Sequence, residues 1–535
     1  MTVTREQSLE ALRAGAAPFD VIVVGGGITG AGVAREAAGS GLRTLLVEQK
    51  DFAWGTSSRS SKMVHGGLRY LGSGQFGLTQ DAVQERQRLM AEAPGLIEPL
   101  RFVLPHYHRQ FPGPRLFQML LRVYDRIARV RSRRLLTAGE SLQWVPGLAQ
   151  DRLMGASVFT DAVTDDARLV LRILAEARRD GALCLNYVKA LKVQRDTEGQ
   201  VTGLQIQPEE SDSPMTVAGR LVINATGAWA GELQQNADDR QTIRPLRGSH
   251  LVLPWKRLPV SCSVSLLHPD DRRPVFAFPW QGTTVLGTTD LDHRESLDQE
   301  PAITQPEVDY LLRICARLFP GSDISAKDIL STWAGVRPVV SDGGPKAPSK
   351  ENREHQLWND KGLISIAGGK LTTFRLIARE ALYDGLEPSG SERLRDEDRP
   401  VFAAQPPAPR PTGISHLTWQ RLQGYYGPEL AEVLAAGDHQ SVCADPAVCD
   451  LLWTELAWAC GREDVRHLDD LLLRRTRLGL ILPDGAHDLM PELKQRLQPV
   501  LGWTDDQWQR EADRYRAIWQ QAYSLPLPAT EGAER

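Results

Sequence analysis

The apolar and polar positions near the N-terminus predict a strand, a helix and a second strand. Residues 21–24 are four consecutive apolar residues, which indicates a buried strand. Residues 31–41 are rich in alanine and free of proline, which favours a helix. A second apolar run, residues 44–47, follows after a short gap. The pattern is a complete βαβ unit.

Three glycines between the first strand and the helix have the spacing GxGxxG of a dinucleotide-binding turn. Gly25 would allow the tight turn, Gly27 would let the backbone approach a pyrophosphate, and Gly30 would let the helix pack closely on the strand. The helix N-terminus offers free N–H groups and positive partial charge to that pyrophosphate. Glu48 ends the second strand, where it would accept hydrogen bonds from a ribose hydroxyl. We therefore predict a dinucleotide site.

Two later segments repeat the pattern of a strand followed by small residues, and the others predict different structures. Residues 193–206 and 215–223 predict a hairpin whose second strand runs into small residues, and residues 363–379 predict a strand, two glycines and a helix. Short β runs between residues 244 and 330 predict an antiparallel sheet. Residues 396–411 are charged and rich in proline, which indicates a linker. The remainder carries Leu, Trp, Arg and Glu at helical spacing.

A basic amphipathic helix is predicted over residues 115–133. An apolar stripe at helical spacing consists of Leu116, Leu120, Val123, Ile127 and Val130. A separate basic stripe consists of Arg115, Arg122, Arg126, Arg129 and Arg133. One interpretation is a helix packed on the protein with a solvated basic face. The other is a helix at an anionic lipid surface, with Phe117 and Tyr124 as partial anchors.

Composition excludes several classes of protein. The chain has 535 residues and a formal net charge of −4, which disfavours a nucleic-acid binder. The first residues carry charges and lack an apolar core, so we expect no signal peptide, and no apolar run approaches the length of a membrane span. Six scattered cysteines without a CxxC motif indicate reduced thiols in a cytosolic protein and no metal site.

A family resemblance rests on TSSRSSKMVHGGLRYL at residues 56–71, behind GGGITGAG. These motifs resemble the FAD-dependent, quinone-linked glycerol-3-phosphate dehydrogenases, and DDLLLRRTRLGL at residues 469–480 is similar to the C-terminal helical domain of the same family. The resemblance implies an α/β fold (α+β overall) with a Rossmann-like FAD-binding domain, an antiparallel-sheet substrate domain and an all-helical C-terminal domain. The implied organisation is an N-terminal extension at 1–18, an FAD-binding domain in three parts at 19–75, 156–232 and 353–395, a substrate or cap segment with the basic helix at 76–155, a substrate-binding sheet at 233–352, a linker at 396–411 and a helical domain at 412–535.

The resemblance also implies which residues contact FAD. Besides the glycine turn and Glu48, the helix that follows the glycines at 368–369 would place its N-terminus at the flavin pyrimidine and stabilise the charge of reduced flavin. The remaining expected cofactor residues are Thr56, Ser57, Ser58, Ser61, Lys62, His65, Gly66, Gly67, Ala225, Thr226, Gly227, Gly368, Gly369, Lys370, Leu371 and Thr372.

Five residues match catalytic or substrate positions of the family. Arg337 in GVRP and Arg353 in ENREH match arginines on the phosphate side, where a planar guanidinium suits a phosphate dianion. His250 in RGSH is our choice for the proton acceptor. Arg69 would lower the pKa of the substrate hydroxyl or hold the alkoxide, and Lys370 would line the site.

The resulting hypothesis is an FAD enzyme that oxidises sn-glycerol 3-phosphate to dihydroxyacetone phosphate by hydride transfer to flavin N5. It would pass electrons to membrane quinone while peripherally bound to anionic lipid at the inner face of the cell membrane, and the family admits a homodimer. The nearest rival is an oxidase that reduces O2 to H2O2, although no long insertion typical of the oxidases is seen in the substrate region. An amine or amino-acid flavin oxidase and a non-catalytic flavoprotein remain as alternatives from other classes.

Overall fold

Two sheets and a set of C-terminal helices make up the fold in the computed structural model, which describes residues 5–68, 71, 75–233, 242–341, 354–386 and 391–526. The fold class predicted from the sequence is confirmed. The strands are β1 Phe19–Val24, β2 Thr44–Val47, β3 Met63–Val64, β4 Ile97–Tyr107, β5 Arg134–Thr137, β6 Leu153–Thr164, β7 Leu183–Leu185, β8 Val188–Arg195, β9 Val201–Pro208, β10 Met215–Asn224, β11 Thr242–Pro254, β12 Ser263–Leu267, β13 Pro274–Trp280, β14 Thr283–Gly287, β15 Leu291–Asp292, β16 Ser331–Ser341, β17 Gln356–Asp360 and β18 Leu363–Ala367. The helices are α1 Arg5–Arg13, α2 Ile28–Gly39, α3 Phe76–Glu92, α4 Pro114–Ala128, α5 Ala138–Trp144, α6 Asp166–Arg179, α7 Gln305–Leu318, α8 Phe374–Gly385, α9 His416–Tyr426, α10 Leu430–Ala435, α11 Trp453–Arg462, α12 Leu478–Ile481, α13 Met490–Leu501 and α14 Asp505–Ala522.

The first sheet contains the predicted βαβ unit. Its strand order is β17-β18-β10-β1-β2-β7, and β18, β10, β1, β2 and β7 run parallel. The β8–β9 hairpin extends from β10 through antiparallel pairing. In the N-terminal extension, α1 buries Leu9 and Leu12 against this sheet. The carboxyl ends of β18, β10, β1 and β2 lie at one edge of this sheet. Ligands of parallel sheets bind at this kind of edge.

Small side chains allow α2 to sit tightly between the first sheet and α8. Most of α2 is buried, and its alanines pack in the main apolar core. A side chain at Gly32 would lie 2.7 Å from the Phe374 ring at the start of α8. The Ala-rich composition of the predicted helix therefore reflects close helix–helix and helix–strand contact.

The second sheet is mainly antiparallel. Its strand order is β15-β11-β14-β13-β12-β4-β6-β3, with β16 paired to β11 and β5 paired to β6. The long pairing of β11 with β16 places His250 opposite Trp333 in register. Strand β6 also belongs here, so the range 156–232 that we assign to the nucleotide-binding part begins inside a strand of the second sheet.

The basic helix is α4, and it is shorter than predicted. It begins at Pro114 and ends at Ala128, because Arg129 takes a left-handed backbone with φ of +52° and closes the helix. Arg133 therefore lies outside the helix. Within the described part of the chain, no helix has the length and apolar character needed to cross a membrane.

The packed face of α4 also differs from the prediction. The side chains that it buries are Phe117, Leu121, Tyr124, Asp125 and Ala128. Tyr124 is fixed in this orientation because its hydroxyl donates to Asp161 at 2.6 Å. The apolar stripe seen in the sequence is divided between the two sides of the helix. Leu120 and Ile127 are half-buried against the core, whereas Leu116 and Val123 are exposed. The prediction that Phe117 and Tyr124 anchor the helix in lipid is therefore wrong.

Candidate active site

The turn between β1 and α2 forms one end of the site. Gly25 has a φ of +110°, and a side chain there would lie 2.6 Å from the carbonyl oxygen of Ala225. A side chain at Gly30 would overlap the Gly25 carbonyl oxygen, so only glycine lets α2 approach β1 this closely. The backbone N–H of Ile28 donates to Ser57 Oγ at 2.9 Å. The positive partial charge at the start of α2 can still attract an anionic group, and the Ser57 hydroxyl lies beside it.

Glu48 lies beside this turn, at the end of β2. Its carboxylate accepts hydrogen bonds from the N–H of Gly26 at 2.7 Å and from the N–H of Lys50 at 2.9 Å. Burial raises the pKa of Glu48 above its usual value. The carboxylate is held by backbone donors, and its residue lines the cavity in which a ribose would lie.

A cavity of about 430 Å³ extends along the carboxyl ends of β1, β2, β10 and β18. This volume is within the range of cofactor sites. The predicted cofactor residues that line it are Gly25, Gly27, Glu48, Thr56, Ser57, Ala225, Thr226, Gly227, Gly368, Gly369, Lys370 and Leu371. Segments separated by as many as 346 positions, from Gly25 to Leu371, therefore meet at one sheet edge, as parallel strands require.

The other predicted cofactor residues are not among those that line this cavity. They are Gly30, Ser58, Ser61, Lys62, His65, Gly66, Gly67 and Thr372, none of which borders the cavity in the described structure. Thr372 Oγ1 donates to the His65 carbonyl oxygen at 3.3 Å, which joins the segment after the glycines at 368–369 to the hydroxyl-rich motif at residues 56–71. These residues shape the loops that carry the lining groups.

Sequence reasoning missed several lining residues. Trp54 and Trp229 both line the cavity, and their ring centroids are 6.0 Å apart. Ser60 lines it too, whereas its predicted neighbours Ser58 and Ser61 do not. The β8 strand contributes residues 189–191. Trp54 could have been predicted as a lining residue, because it lies just before the hydroxyl-rich motif at residues 56–71.

His250 lies on β11 in a buried, apolar setting. Its Nε2 is 2.9 Å from Ser61 Oγ, and its ring stacks on Trp333 with centroids 4.8 Å apart. Burial, together with the positive charges of Arg337 and Lys62, lowers the pKa of His250 well below its usual value. The imidazole is therefore neutral near pH 7 and able to accept a proton, although it does not itself border the described part of the cavity.

Lys62 is the buried cation behind this histidine. Its Nζ lies between two indole rings, 4.5 Å from the Trp333 centroid and 4.7 Å from the Trp280 centroid. It donates to Asp166 at 2.9 Å and to the carbonyl oxygen of Ser58 at 3.1 Å. Burial lowers the pKa of Lys62 to about 8. Lys62 thus packs inside the protein against Trp333, the same indole on which His250 stacks.

Arg337 lies on β16 and is held from two sides. Its guanidinium donates to Asp290 and to the hydroxyl of Thr288, each at 3.2 Å. It lies flat against Gly248, where any side chain would overlap it. It is also close enough to His250 for its charge to act on the imidazole. A fixed, partly exposed guanidinium beside a neutral imidazole can bind an anionic group of a substrate.

Two of the five predicted catalytic residues lie outside the described residues. These are Arg69 and Arg353. Of the other three, His250 and Arg337 lie on the paired strands β11 and β16, and Lys370 lines the cavity after the two glycines that follow β18.

Comparison with known proteins agrees with this architecture. Residues 20–380 match the family described as FAD dependent oxidoreductase, and residues 368–508 match the C-terminal domain of alpha-glycerophosphate oxidase. Glycerol-3-phosphate dehydrogenase 2 of Mycobacterium tuberculosis is 34% identical, over 94% of this chain and 88% of that protein. The aerobic glycerol-3-phosphate dehydrogenase of Staphylococcus aureus is 31% identical, over 86% of each chain. The glycerol-3-phosphate dehydrogenase of Bacillus halodurans, solved with FAD, has a TM-score of 0.74 at 27% identity and covers 99% of each chain.

The residues present fit FAD as the cofactor. The glycine turn leaves no room for side chains at Gly25 and Gly30, the N-terminus of α2 supplies positive partial charge, and Glu48 lines the cavity beside this turn. A second helix start at Leu371 faces the other end of the cavity. This protein is therefore an FAD-dependent enzyme that belongs to the glycerol-3-phosphate dehydrogenase family.

Proposed function

We propose that this enzyme oxidises sn-glycerol 3-phosphate to dihydroxyacetone phosphate and delivers the electrons to a membrane quinone. Bound FAD supplies the hydride acceptor at flavin N5. The observation that carries the proposal is the pairing of a buried neutral imidazole, His250, with an anchored guanidinium, Arg337, on adjacent strands. The names of the relatives support the same substrate.

In this proposal Arg337 binds the substrate phosphate. Asp290 and Thr288 hold the guanidinium in place, so little side-chain entropy is lost when an anion binds. Asp290 also bonds to Arg273, which offsets its negative charge. Lys370 lines the neighbouring wall and supplies a second cation. We place Arg69 and Arg353 on the same substrate side, as the family resemblance implies.

His250 accepts the proton of the C2 hydroxyl. Because His250 is buried and Ser61 is only half-buried, the proton reaches the imidazole most directly through Ser61 Oγ, 2.9 Å from Nε2. Removing this proton as the C–H bond breaks completes oxidation of the alcohol to a ketone. The neutral state of His250 leaves it ready to accept the proton at pH 7.

The outer face of α4 supports delivery of electrons at a membrane. Phe111, Leu116 and Met119 are 73%, 48% and 59% exposed and form an apolar patch together with Val123. The exposed arginines beside this patch are Arg115, Arg122, Arg126 and Arg129. An apolar face bordered by basic residues suits an anionic lipid surface. We therefore propose peripheral attachment of the cytoplasmic enzyme to the inner face of the cell membrane through α4.

An anaerobic titration tests the reaction. Adding sn-glycerol 3-phosphate to purified holoenzyme should bleach the flavin band at about 450 nm, and a soluble quinone should restore it much faster than air does. Fast recovery in air with H2O2 production would identify an oxidase instead. Bound flavin that this substrate does not bleach would refute the substrate assignment, and bleaching by an amino acid would indicate an amine-oxidising relative.

A further inference from the structure

A buried charge cluster joins the C-terminal helices to the wall of the flavin cavity. It consists of Lys62, Asp165, Asp166 and Arg477, each less than 5% exposed. Two positive and two negative charges balance inside it. Lys62 belongs to the hydroxyl-rich motif, the two aspartates begin α6, and Arg477 belongs to the DDLLLRRTRLGL segment. The cluster therefore connects three distant parts of the chain.

Arg477 is the C-terminal member of this cluster. Its Nε and Nη2 donate to Asp165 at 3.0 and 2.9 Å, and Nη2 also bonds to Asp166. Its Nη1 donates to the carbonyl oxygen of Ser58 at 3.2 Å. Burial alone would raise the pKa of Asp165, but the charge of Arg477 brings it below its usual value. Arg477 thus bonds both to the aspartates and to the Ser58 carbonyl oxygen.

Asp166 extends this connection to the cavity. Its Oδ2 accepts from the N–H of Ser60 at 2.9 Å and from Ser60 Oγ at 2.7 Å. Its Oδ1 accepts from Lys62 at 2.9 Å. Ser60 lines the flavin cavity, and Ser61 contacts His250. The Asp166 carboxylate therefore holds residues 60–62, the segment that joins the cavity wall at Ser60 to the His250 contact at Ser61.

We propose that Arg477 is a positioning residue for the flavin site, through which the C-terminal helices hold residues 58–62 and balance the charge behind the cavity. Without Arg477, two buried carboxylates would face only one lysine. The surplus negative charge would oppose formation of the negatively charged reduced flavin. Release of Ser60 would also loosen the cavity wall. The C-terminal helices then form part of the redox site, although they supply no lining residue in the described structure.

The test is Arg477→Met in full-length holoenzyme. We expect the midpoint potential of bound FAD, measured by reductive titration with a reference dye, to move to a more negative value. The rate of FAD release should rise by about tenfold or more, since the wall segment loses its support. Both readouts are independent of the substrate, so they remain valid if the proposed reaction is wrong.

Arg168→Met is the matched control. Arg168 is equally buried at the same junction, but it bonds to Glu463 at 3.0 Å and to the carbonyl oxygen of Arg475 at 2.9 Å instead of to residues 58–62. Both substitutions should lower the melting temperature, and only Arg477→Met should shift the flavin potential. An equal shift in both variants, or a wild-type potential in Arg477→Met, would overturn the proposal.

A second variant covers the case in which Arg477→Met does not retain FAD after purification. Arg477→Lys keeps the positive charge but replaces the fork that spans two carboxylates and a carbonyl with a single ammonium. It should keep the potential near that of the wild type while FAD release becomes faster. A wild-type rate of FAD release in this variant would count against positioning of residues 58–62 by Arg477.

Discussion

Ser61 Oγ lies 2.9 Å from Nε2 of His250, although the two residues are 189 positions apart in the chain. Ser61 comes from the hydroxyl-rich loop after β2, and His250 comes from β11 of the second sheet. The contact therefore joins the loop between β2 and β3 to the second sheet through one hydrogen bond. Trp333 covers one face of the imidazole, and Ser61 supplies a polar contact at its Nε2.

His250→Asn should lower the rate of flavin reduction by sn-glycerol 3-phosphate by about 10²- to 10⁴-fold, the usual contribution of a general base. Ser61→Ala should cause a loss of similar size if the proton passes through the hydroxyl. Anaerobic stopped-flow measurement of the flavin band gives both rates. His106→Asn is the control, because His106 is also buried and hydrogen-bonded to Ser157, but away from the cavity.

The pH dependence follows from the same contact. A histidine with a lowered pKa stays neutral at pH 6.5, so the rate of flavin reduction should not fall until well below that value. Above pH 6.5 the imidazole is already neutral, and His250 should add no further increase. An acidic limb centred at or above about pH 6.5 would show that another group, or a solvated histidine, accepts the proton.

Arg337→Ala should raise the KM for sn-glycerol 3-phosphate and lower turnover while FAD remains bound. Loss of a charge-assisted contact of about 1.5–3 kcal/mol corresponds to roughly 10- to 150-fold in kcat/KM. Gly248→Ala should have a similar effect, because its methyl group would occupy the place of the guanidinium. Steady-state kinetics and the flavin-to-protein absorbance ratio measure the two properties separately.

Arg313→Ala is a control for this pair. Arg313 is exposed and pairs with Asp270 on the surface, so its loss should leave kcat/KM unchanged. If Arg337→Ala instead loses FAD, this arginine supports the cofactor and has been assigned wrongly to the phosphate. Equal kcat/KM values for glycerol and glycerol 3-phosphate in the wild type would also contradict a phosphate site.

Gly30→Ala should prevent stable binding of FAD. The added methyl group would overlap the carbonyl oxygen of Gly25, which forces α2 away from β1 and opens the phosphate turn. Overpacking of this kind costs about 1–3 kcal/mol of stability. Gly77→Ala in α3 is the control, since nothing lies within 4 Å of the added group. Retention of full FAD by Gly30→Ala would show that the turn tolerates a wider spacing.

Local patterns were sufficient to predict the nucleotide-binding edge. The strand at residues 44–47 is confirmed with the predicted bounds, and Glu48 follows it directly. Such a prediction succeeds because the hydrophobic pattern of a strand depends only on residues close together in the sequence. The Ser61–His250 contact, by contrast, depends on how two sheets pack together. A single sequence carries no signal for that distance, and only the family resemblance brought His250 forward.

The orientation of α4 shows where a periodic pattern is insufficient. Its sequence contains two apolar stripes, one through Leu116 and Val123 and one through Phe117 and Leu121. Hydrophobicity alone cannot show which of the two stripes is buried. The second is packed inwards because Tyr124 on the same side finds a buried partner in Asp161. The sequence of residues 469–480 likewise does not reveal that Arg474, Arg475 and Arg477 are all buried with carboxylate partners.

The outward stripe of α4 makes a prediction about membrane attachment. Replacing Arg122, Arg126 and Arg129 with Glu changes the local charge by six and should release the enzyme from vesicles that contain anionic phosphatidylglycerol. Each arginine contributes about 1 kcal/mol at such a surface, so vesicle affinity should fall by tenfold or more in a flotation assay. Reduction of flavin by substrate in solution should be unchanged, because none of the three residues approaches the cavity.

A control triple and an uncharged variant separate this contact from a general effect of net charge. The exposed arginines Arg272, Arg294 and Arg317 lie on other elements, and their replacement with Glu makes the same charge change. Vesicle affinity should then fall much less than for the α4 triple, because the charges lie away from the apolar patch. Replacing Leu116, Met119 and Val123 with Ser leaves the charge unchanged and should still weaken binding, since these side chains enter the lipid interface. Equal losses in the two arginine triples, with none in the serine variant, would show that attraction is diffuse and that α4 is not the contact.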